Sequence, residues 1–272
     1  MDIRVHGPEA GAAERAAVDS VLGAPVLLSG HAARSKRDLV LPVLHAVQSR
    51  FGWLPPGALH YICERLTVPP AELFGVATFY HLFSLTPRPP KVIHVCDDIA
   101  CRIQGAEQRC SELETKLGPE DDPAPKNGVT WRRSPCIGQC ERAPAALVIE
   151  AGEIPSSHSV PESEGQIPQF GQPGLRLLRR IGRVDPESLN AYRDDGGYTA
   201  LERAMQLGSG WVIREVIASN LAGRGGAAFP TGRKWDAVAK ATARPHYVVC
   251  NADESEPGTF KDRILMEAIR SP

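Results

Sequence analysis

The stretch "KVIHVCDDIAC" at residues 91–101 places a short run rich in β-branched residues directly before Cys96, and Cys101 follows after four further residues. A second stretch, "GVTWRRSPCIGQCERAPAALVIE" at residues 128–150, has the pattern of a strand, a loop with two cysteines, and another strand. Such runs bounded by turn residues are typical of β-strands. A helix is predicted over residues 105–117, so the order strand, helix, strand predicts an α/β fold with cysteines at strand ends.

The four cysteines of these loops form two close pairs. Cys96 and Cys101 are separated by four residues, and Cys136 and Cys140 by three. Four thiolates suit either Zn²⁺ or an iron–sulfur cluster in which two cysteines hold each iron. The spacings lie within the zinc range, so spacing alone leaves both metals open. Four unrelated buried thiols are the third and least favoured alternative, because close pairs at two strand ends rarely arise by chance.

Composition excludes several function classes. The 272 residues include 31 Lys and Arg against 32 Asp and Glu, a net charge of −1, so the chain has no overall basic field to attract nucleic acid or an anionic membrane. No window approaches the ~18 consecutive apolar residues of a transmembrane helix, and the N-terminus lacks the basic-then-apolar order of a signal peptide. These features predict a cytoplasmic protein, in which the seven cysteines are metal ligands or buried thiols.

The pattern along the chain predicts two domains joined by a linker. Apolar residues at helical spacing between residues 35 and 83 are interrupted by Pro55-Pro56 and Pro69-Pro70, which predicts three short helices. Residues 150–174 are rich in Pro, Ser, Gly and Gln, as linkers are. The predicted division is a mobile tail (1–30), a helical segment (31–88), the cysteine domain (89–150), a linker (151–183) and a second domain (184–272).

A glycine-rich loop, "NLAGRGGAAFPTGRKW" at residues 220–235, lies in the second domain. Glycines let backbone N–H groups approach a phosphate, Arg and Lys supply positive charge, and Phe offers a face for stacking. Gly223, Gly225 and Ala228 formally fit a dinucleotide-binding motif, but that motif needs a preceding strand and the preceding pattern here is helical. Taken alone, the loop is either a flexible turn or a phosphate site.

An acidic stretch, "YVVCNADESEPGTFKDR" at residues 247–263, follows the glycine-rich loop. Its apolar start predicts a strand that ends just before Asp253, Glu254 and Glu256. Such acids serve metal sites, general acid/base pairs, solvated turns and cofactor pockets. A hard divalent cation is disfavoured, because the three carboxylates lack the alternating spacing of a calcium loop.

The first half of the chain resembles a known family. The motifs "VCDDIAC" and "SPCIGQCERAPA", preceded by "LPVLHAVQSRFGWLP" and "AELFGVATFYHLF", resemble the thioredoxin-like [2Fe–2S] subunit of respiratory complex I over residues 35–149. The resemblance favours iron–sulfur over zinc. It implies a helical segment before a thioredoxin-like ferredoxin domain and implies that a [2Fe–2S] cluster is bound by Cys96, Cys101, Cys136 and Cys140.

The second half resembles another subunit of the same complex. The glycine-rich loop together with "NADESEPGTFKDR" resembles the NADH- and FMN-binding subunit over about residues 194–263. The resemblance implies that the loop cradles NADH and flavin, with stacking near the adenine and charge near the phosphates. It implies cofactor contacts from Gly223, Arg224, Gly225, Gly226, Phe229, Gly232 and Lys234 of the loop, and from Asn251, Asp253, Glu254 and Glu256 of the acidic stretch.

Among these residues, the resemblance assigns flavin contacts to Asn251, Asp253 and Glu254 and a contact with the nicotinamide nucleotide to Glu256. Glu256 and Lys234 are the candidate catalytic residues. Three positions depart from the family pattern. Ala222 stands in place of an Arg, Ala228 in place of a Gly, and Ala237 in place of a larger apolar residue.

The fused order of the two modules implies a fold class and a function. The fold class is α/β (α+β), with the helical segment, the thioredoxin-like [2Fe–2S] domain, a linker and the start of a Rossmann-like FMN/NADH-binding domain that is incomplete at the C-terminus. The order resembles diaphorase subunits, and the segment "LNAYRDDGGYTALERAM" at residues 189–205 resembles the β subunits of NAD-dependent formate dehydrogenases. The alternatives are a NAD-reducing hydrogenase or NADH:quinone oxidoreductase subunit, and a non-catalytic electron-transfer or assembly fragment.

The same resemblance implies the cofactors and the partner. The cofactors are the [2Fe–2S] cluster, FMN and NAD(H), and the family also implies a [4Fe–4S] cluster whose ligands do not occur in this sequence. The implied partner is the catalytic subunit of a multi-subunit oxidoreductase, either a molybdenum or tungsten formate dehydrogenase α subunit or a hydrogenase.

Overall fold

The structure is a computed structural model that describes most of the chain. It forms two compact units, the first within residues 1–166 and 255–260, and the second within residues 167–254 and 261–272. The described residues are 7–24, 35–125, 127–161, 171–176, 178–185, 187–224 and 226–268.

The first unit begins with a helical segment. The helices are α1 (Ala12–Leu22), α2 (Val40–Phe51), α3 (Pro56–Leu66) and α4 (Pro70–Phe79), with a 3₁₀ turn at Arg37–Leu39 before α2. Both α3 and α4 begin on a proline, which has no N–H to leave unpaired at the first helical position. The prediction of three helices separated by proline pairs is confirmed.

The segment expected to be a mobile or weakly helical tail contains a helix at residues 12–22. Those residues form α1, whose Val18 and Leu22 are buried in the core of the helical segment. The side chain of Asp19 pairs with Arg65 of α3 and accepts a hydrogen bond of 3.1 Å from the hydroxyl of Tyr61. The small apolar side of α1 is too weak a periodic signal to predict, and contacts with α3 hold the helix in place.

The cysteine domain is built on a four-stranded mixed sheet. Its strands are β1 (Lys91–Cys96), β2 (Val129–Ser134), β3 (Ala146–Glu150) and β4 (Ser156–Val160), in the order β2-β1-β3-β4. β1 runs parallel to β2 and antiparallel to β3, and β3 runs antiparallel to β4. The connection from β1 to β2 contains α5 (Ile99–Ile103) and α6 (Ala106–Leu117), which confirms the predicted α/β pattern.

β4 lies inside the segment that was predicted to be a linker. Its sequence, "SSHSV", lacks the apolar alternation that marks a strand. It pairs with β3 through the backbone, with Leu147 opposite Ser159, and forms an edge of the sheet. An edge strand needs few apolar side chains, so composition gave no sign of it.

The second unit is helical in its described part. Its helices are α7 (Leu189–Asp194), α8 (Thr199–Leu207), α9 (Ser209–Ala218), α10 (Thr231–Lys240) and α11 (Lys261–Ala268). The strand predicted at residues 247–250 is not formed, and Tyr247, Val248 and Val249 are 80, 99 and 84 % exposed. An extended segment becomes a strand only beside a neighbour, and the described residues of this unit offer none to it. Within the described residues, no helix is long and apolar enough to cross a membrane.

Candidate functional site

The two cysteine loops lie side by side because their strands are parallel neighbours. Cys96 is the last residue of β1 and pairs in register with Ser134, the last residue of β2. The Asp97 N–H donates to the Ser134 carbonyl at 3.1 Å, which continues the pairing one residue beyond β1. The carboxyl ends of two parallel strands thus bring together cysteines that are some forty residues apart in sequence.

The four thiols are brought close together in two pairs. The sulfur atoms of Cys136 and Cys140 are 3.5 Å apart, and Cys96 and Cys101 lie together in one buried cluster. Cys96 and Cys101 are buried, with Ala106 and Ala145 packed around them, whereas Cys136 and Cys140 are half-buried. All seven cysteines are free thiols, but Cys250 is exposed rather than buried as expected.

The pKa values of the two buried thiols shift in opposite directions. The hydrogen bond with Cys101, followed by burial, raises the pKa of Cys96. The same bond lowers the pKa of Cys101 to about 7, and burial raises the pKa of Cys140 to about 11. Four thiolates at this spacing repel one another strongly, so the full set of negative charges requires positively charged metal.

Backbone N–H groups point at three of the sulfur atoms. Ala145 donates to Cys101 Sγ at 3.4 Å, Gly138 donates to Cys136 Sγ at 3.5 Å, and Gly258 donates to Cys140 Sγ at 3.1 Å. Hydrogen bonds to cysteine sulfur are among the features that set the potential of iron–sulfur clusters.

The arrangement of donors fits a two-iron cluster. A structural zinc site needs four ligands around one ion, whereas two irons can each be held by one cysteine pair. The close Cys136–Cys140 pair and the Cys96–Cys101 pair, which is buried in one cluster, are compatible with the second arrangement.

The remaining cysteines lie elsewhere. Cys63 is buried in the helical core, where burial and then the nearby Glu64 raise its pKa to about 11. Cys110 is buried in a separate cluster with Trp131, and Cys250 is exposed. Cys63 and Cys110 are therefore buried thiols, one of the two kinds expected for the cysteines of this chain.

The glycine-rich loop forms a closed turn in the second unit. Gly223 N–H donates to the Phe229 carbonyl at 2.8 Å, and Ala222 forms an isolated β-bridge with Pro230. Phe229 is 51 % exposed and therefore open to stacking. Ala228 adopts φ +46°, the left-handed region in which the family's glycine would be unstrained.

The loop leads directly into α10. A Cβ on Gly232 would lie 2.7 Å from the backbone nitrogen of Ile217 in α9, so only glycine fits there. Arg224 and Gly226 lie in the loop, and the exposed Lys234 lies in the first turn of α10. Gly225 lies outside the described residues.

Glu254 has a structural role that the sequence did not indicate. Its carboxylate accepts the N–H groups of Asp262 and Arg263 at 2.9 and 3.0 Å and so caps the start of α11. Burial opposes ionisation, but these two donors prevail and lower the pKa of Glu254. Lys261 is also close, at 3.7 Å.

Asn251, Asp253 and Glu256 of the acidic stretch are more exposed to solvent than Glu254. Asn251 Oδ1 accepts the N–H of Asp253 at 2.9 Å, and both side chains are exposed. The Glu256 carbonyl accepts the Thr259 N–H at 3.0 Å, which forms the turn that carries Gly258. Glu256 belongs with residues 255–260 to the first unit, whereas the glycine-rich loop, Asn251, Asp253 and Glu254 belong to the second.

Comparison with known proteins identifies both halves. Residues 28–154 match the thioredoxin-like [2Fe–2S] ferredoxin family, and residues 216–270 match the Nuo51 FMN-binding domain. The chain is 31 % identical over 156 residues to the E-type subunit of NADH-quinone oxidoreductase from Escherichia coli, covering 57 % of this chain and 87 % of that protein. The chain belongs to the complex I-type [2Fe–2S] ferredoxin family.

Two further relatives are also similar to this chain. It is 31 % identical over 251 residues to the NAD-reducing hydrogenase HoxS subunit alpha of Cupriavidus necator, covering 86 % of this chain and 42 % of that protein. It is 52 % identical over 92 residues to an F-type subunit of NADH-quinone oxidoreductase from Rhizobium meliloti, covering 34 % of this chain and 22 % of that protein. The chain thus spans less than half the length of these two relatives.

A solved structure has a fold similar to that of this complex I-type chain. The crystal structure of a NAD⁺-reducing [NiFe]-hydrogenase in the air-oxidised state matches with a TM-score of 0.54 at 26 % identity, covering 84 % of this chain and 41 % of that one. The expected fold class is confirmed, as are the [2Fe–2S] and FMN-binding domain types. The individual ligand and cofactor-contact residues stay predictions.

Two residues at the site escaped sequence reasoning. Asp98 precedes α5, and an Asp just before a helix is a recognisable N-cap signal. Gly258 carries no local signal, because its bond to Cys140 joins residues 118 positions apart.

Proposed function

We propose that this chain passes electrons between NAD(H), FMN and a [2Fe–2S] cluster as part of a diaphorase subunit. The observation that carries the proposal is the meeting of two cysteine pairs at the ends of β1 and β2, in a chain that also matches the FMN-binding domain. When bound, FMN accepts a hydride and releases electrons one at a time, which a [2Fe–2S] cluster can carry.

The first unit's part in this function is to hold the cluster. Cys96 and Cys101 would hold one iron, and Cys136 and Cys140 would hold the other. The backbone N–H groups of Ala145, Gly138 and Gly258 offset thiolate charge at the sulfur atoms. Burial of Cys96 and Cys101 limits the access of water to that side of the site.

The second unit's part is to bind the nucleotides. Phe229 offers an exposed ring for stacking, and Arg224 and Lys234 offer positive charge to phosphates. Asn251 and Asp253 offer acceptors to flavin groups, and orienting the flavin ring is their role. The nicotinamide contact assigned to Glu256 stays a separate prediction. Glu254 is the weakest member of the predicted set, because its carboxylate already caps α11.

We propose a formate dehydrogenase as the assembly, with a molybdenum or tungsten α subunit as partner. The support is the resemblance of residues 189–205 to the β subunits of those enzymes. A NAD-reducing hydrogenase is the second candidate, favoured by the likeness to HoxS subunit alpha along 86 % of this chain. A cytoplasmic location stays a prediction.

Anaerobic purification of the protein with its natural partners tests both the proposed electron transfer and the proposed assembly. We expect about two irons and two sulfides for the Cys₄ site of the first unit, and NADH-dependent reduction of a soluble dye. A co-purifying subunit with molybdenum or tungsten supports formate dehydrogenase, whereas nickel supports a hydrogenase. Stoichiometric zinc without visible absorption would contradict the electron-transfer function, and a cluster without NADH oxidation would support the non-catalytic alternative.

A further inference from the structure

Asp98 joins the two cysteine loops through its side chain. Its Oδ1 accepts the N–H of Ile99 at 2.7 Å, and its Oδ2 accepts the N–H of Cys136 at 3.1 Å. One residue of the first loop therefore accepts a hydrogen bond from the backbone of a predicted ligand in the second loop.

Each of these bonds fixes a cysteine. The bond to Ile99 caps α5, which carries Cys101 at its third position. The bond to Cys136 holds the second loop beyond the point where the pairing of β1 and β2 ends at Ser134. Bonds between a carboxylate and backbone N–H groups are stronger than neutral ones, so this tie resists separation of the loops.

The neighbouring Asp97 provides a comparison. Its carboxylate faces guanidinium groups, with Arg133 at 3.4 Å and Arg102 at 3.7 Å. The described partners of the Asp98 carboxylate are instead backbone N–H groups of the two loops. Of the two adjacent acids, only Asp98 has a carboxylate that accepts the backbone N–H of a predicted ligand among the described contacts.

We propose that Asp98 is a positioning residue of the cluster site, whose carboxylate holds the two cysteine loops together and whose charge lowers the cluster's reduction potential. The charge effect follows because a nearby anion disfavours the more negative, reduced cluster. The proposal rests on the [2Fe–2S] site proposed above.

The test compares Asp98→Asn, Asp98→Ala and the control Asp97→Asn in the full chain, purified anaerobically. Two quantities are measured, the rate of iron release to a ferrous chelator and the midpoint potential by EPR-monitored titration. We expect Asp98→Ala to release iron about tenfold faster than wild type and Asp98→Asn to be intermediate, because Asn keeps one acceptor. Both should raise the ratio of reduced to oxidised cluster several-fold at a fixed potential, a tenfold rise being about 59 mV for one electron.

Asp97→Asn should release iron at the wild-type rate. Wild-type iron release and potential in both Asp98 variants would overturn the proposal, as would equal acceleration by Asp97→Asn. Faster iron release without a potential shift would also overturn it, since that is the result of general destabilisation. If Asp98→Ala fails to fold, the nearly isosteric Asp98→Asn decides. Absence of a cluster from the wild-type protein would instead contradict the proposed function.

Discussion

Replacement by alanine should have different effects at two glycines of the same loop, weaker helix packing at Gly232 and weaker nucleotide binding at Gly226. A Cβ on Gly232 would meet three atoms of Ile217 at 2.6 to 2.8 Å, and two of those atoms are backbone. A Cβ on Gly226 would meet nothing within 4 Å. Overpacking of this kind costs about 1–3 kcal/mol, so Gly232→Ala should weaken the packing of α10 on α9 by a factor of about 5 to 150.

Hydrogen–deuterium exchange of the full chain measures this effect locally. Peptides from α9 and α10 should exchange faster by that factor in Gly232→Ala and at the wild-type rate in Gly226→Ala. FMN or NADH binding should instead fall in Gly226→Ala if the loop's backbone approaches a phosphate, as proposed. Unchanged exchange in Gly232→Ala, or equal acceleration by both variants, would refute the assignment of Gly232 to helix packing.

Three further predictions concern the first unit. Cys136→Ser should lose the cluster, seen as loss of visible absorption, whereas the buried Cys63→Ser should keep it and mainly lower thermal stability. Burial, followed by the charge of Arg88, lowers the pKa of the buried His94 to about 3. In the cluster-free protein the neutral ring therefore contributes stability above pH 6.5, the pKa of an unfolded histidine. This stability is lost as the pH falls toward 3, by up to about 1.4 kcal/mol per pH unit. Urea unfolding of wild type and His94→Leu between pH 7 and pH 4 measures this, and parallel slopes would contradict it. Limited proteolysis should leave a fragment that retains β4, because Ser156–Val160 pairs with β3, and mass spectrometry of a stable fragment ending near residue 150 would contradict that pairing.

Local patterns in the sequence determined much of the fold. Proline pairs act on the residues beside them, and they correctly divided the helices α2, α3 and α4. The apolar run before Cys96 and the cysteine spacing placed two cysteine loops at strand ends, as the structure has them. These signals are short-range, because each depends on residues within one element or one turn.

Other features depended on contacts between distant residues, and only the tertiary structure decided them. α1 is held by packing and by the Asp19–Arg65 pair, and β4 by backbone pairing that needs no apolar pattern. Residues 247–250 have a strand's composition but no neighbour among the described residues, so composition misled there. The bond from Asp98 to Cys136 spans 38 positions and forms only because parallel strands end side by side. The pairing of the parallel strands, rather than residue type, therefore decides which polar groups meet at the cysteine site.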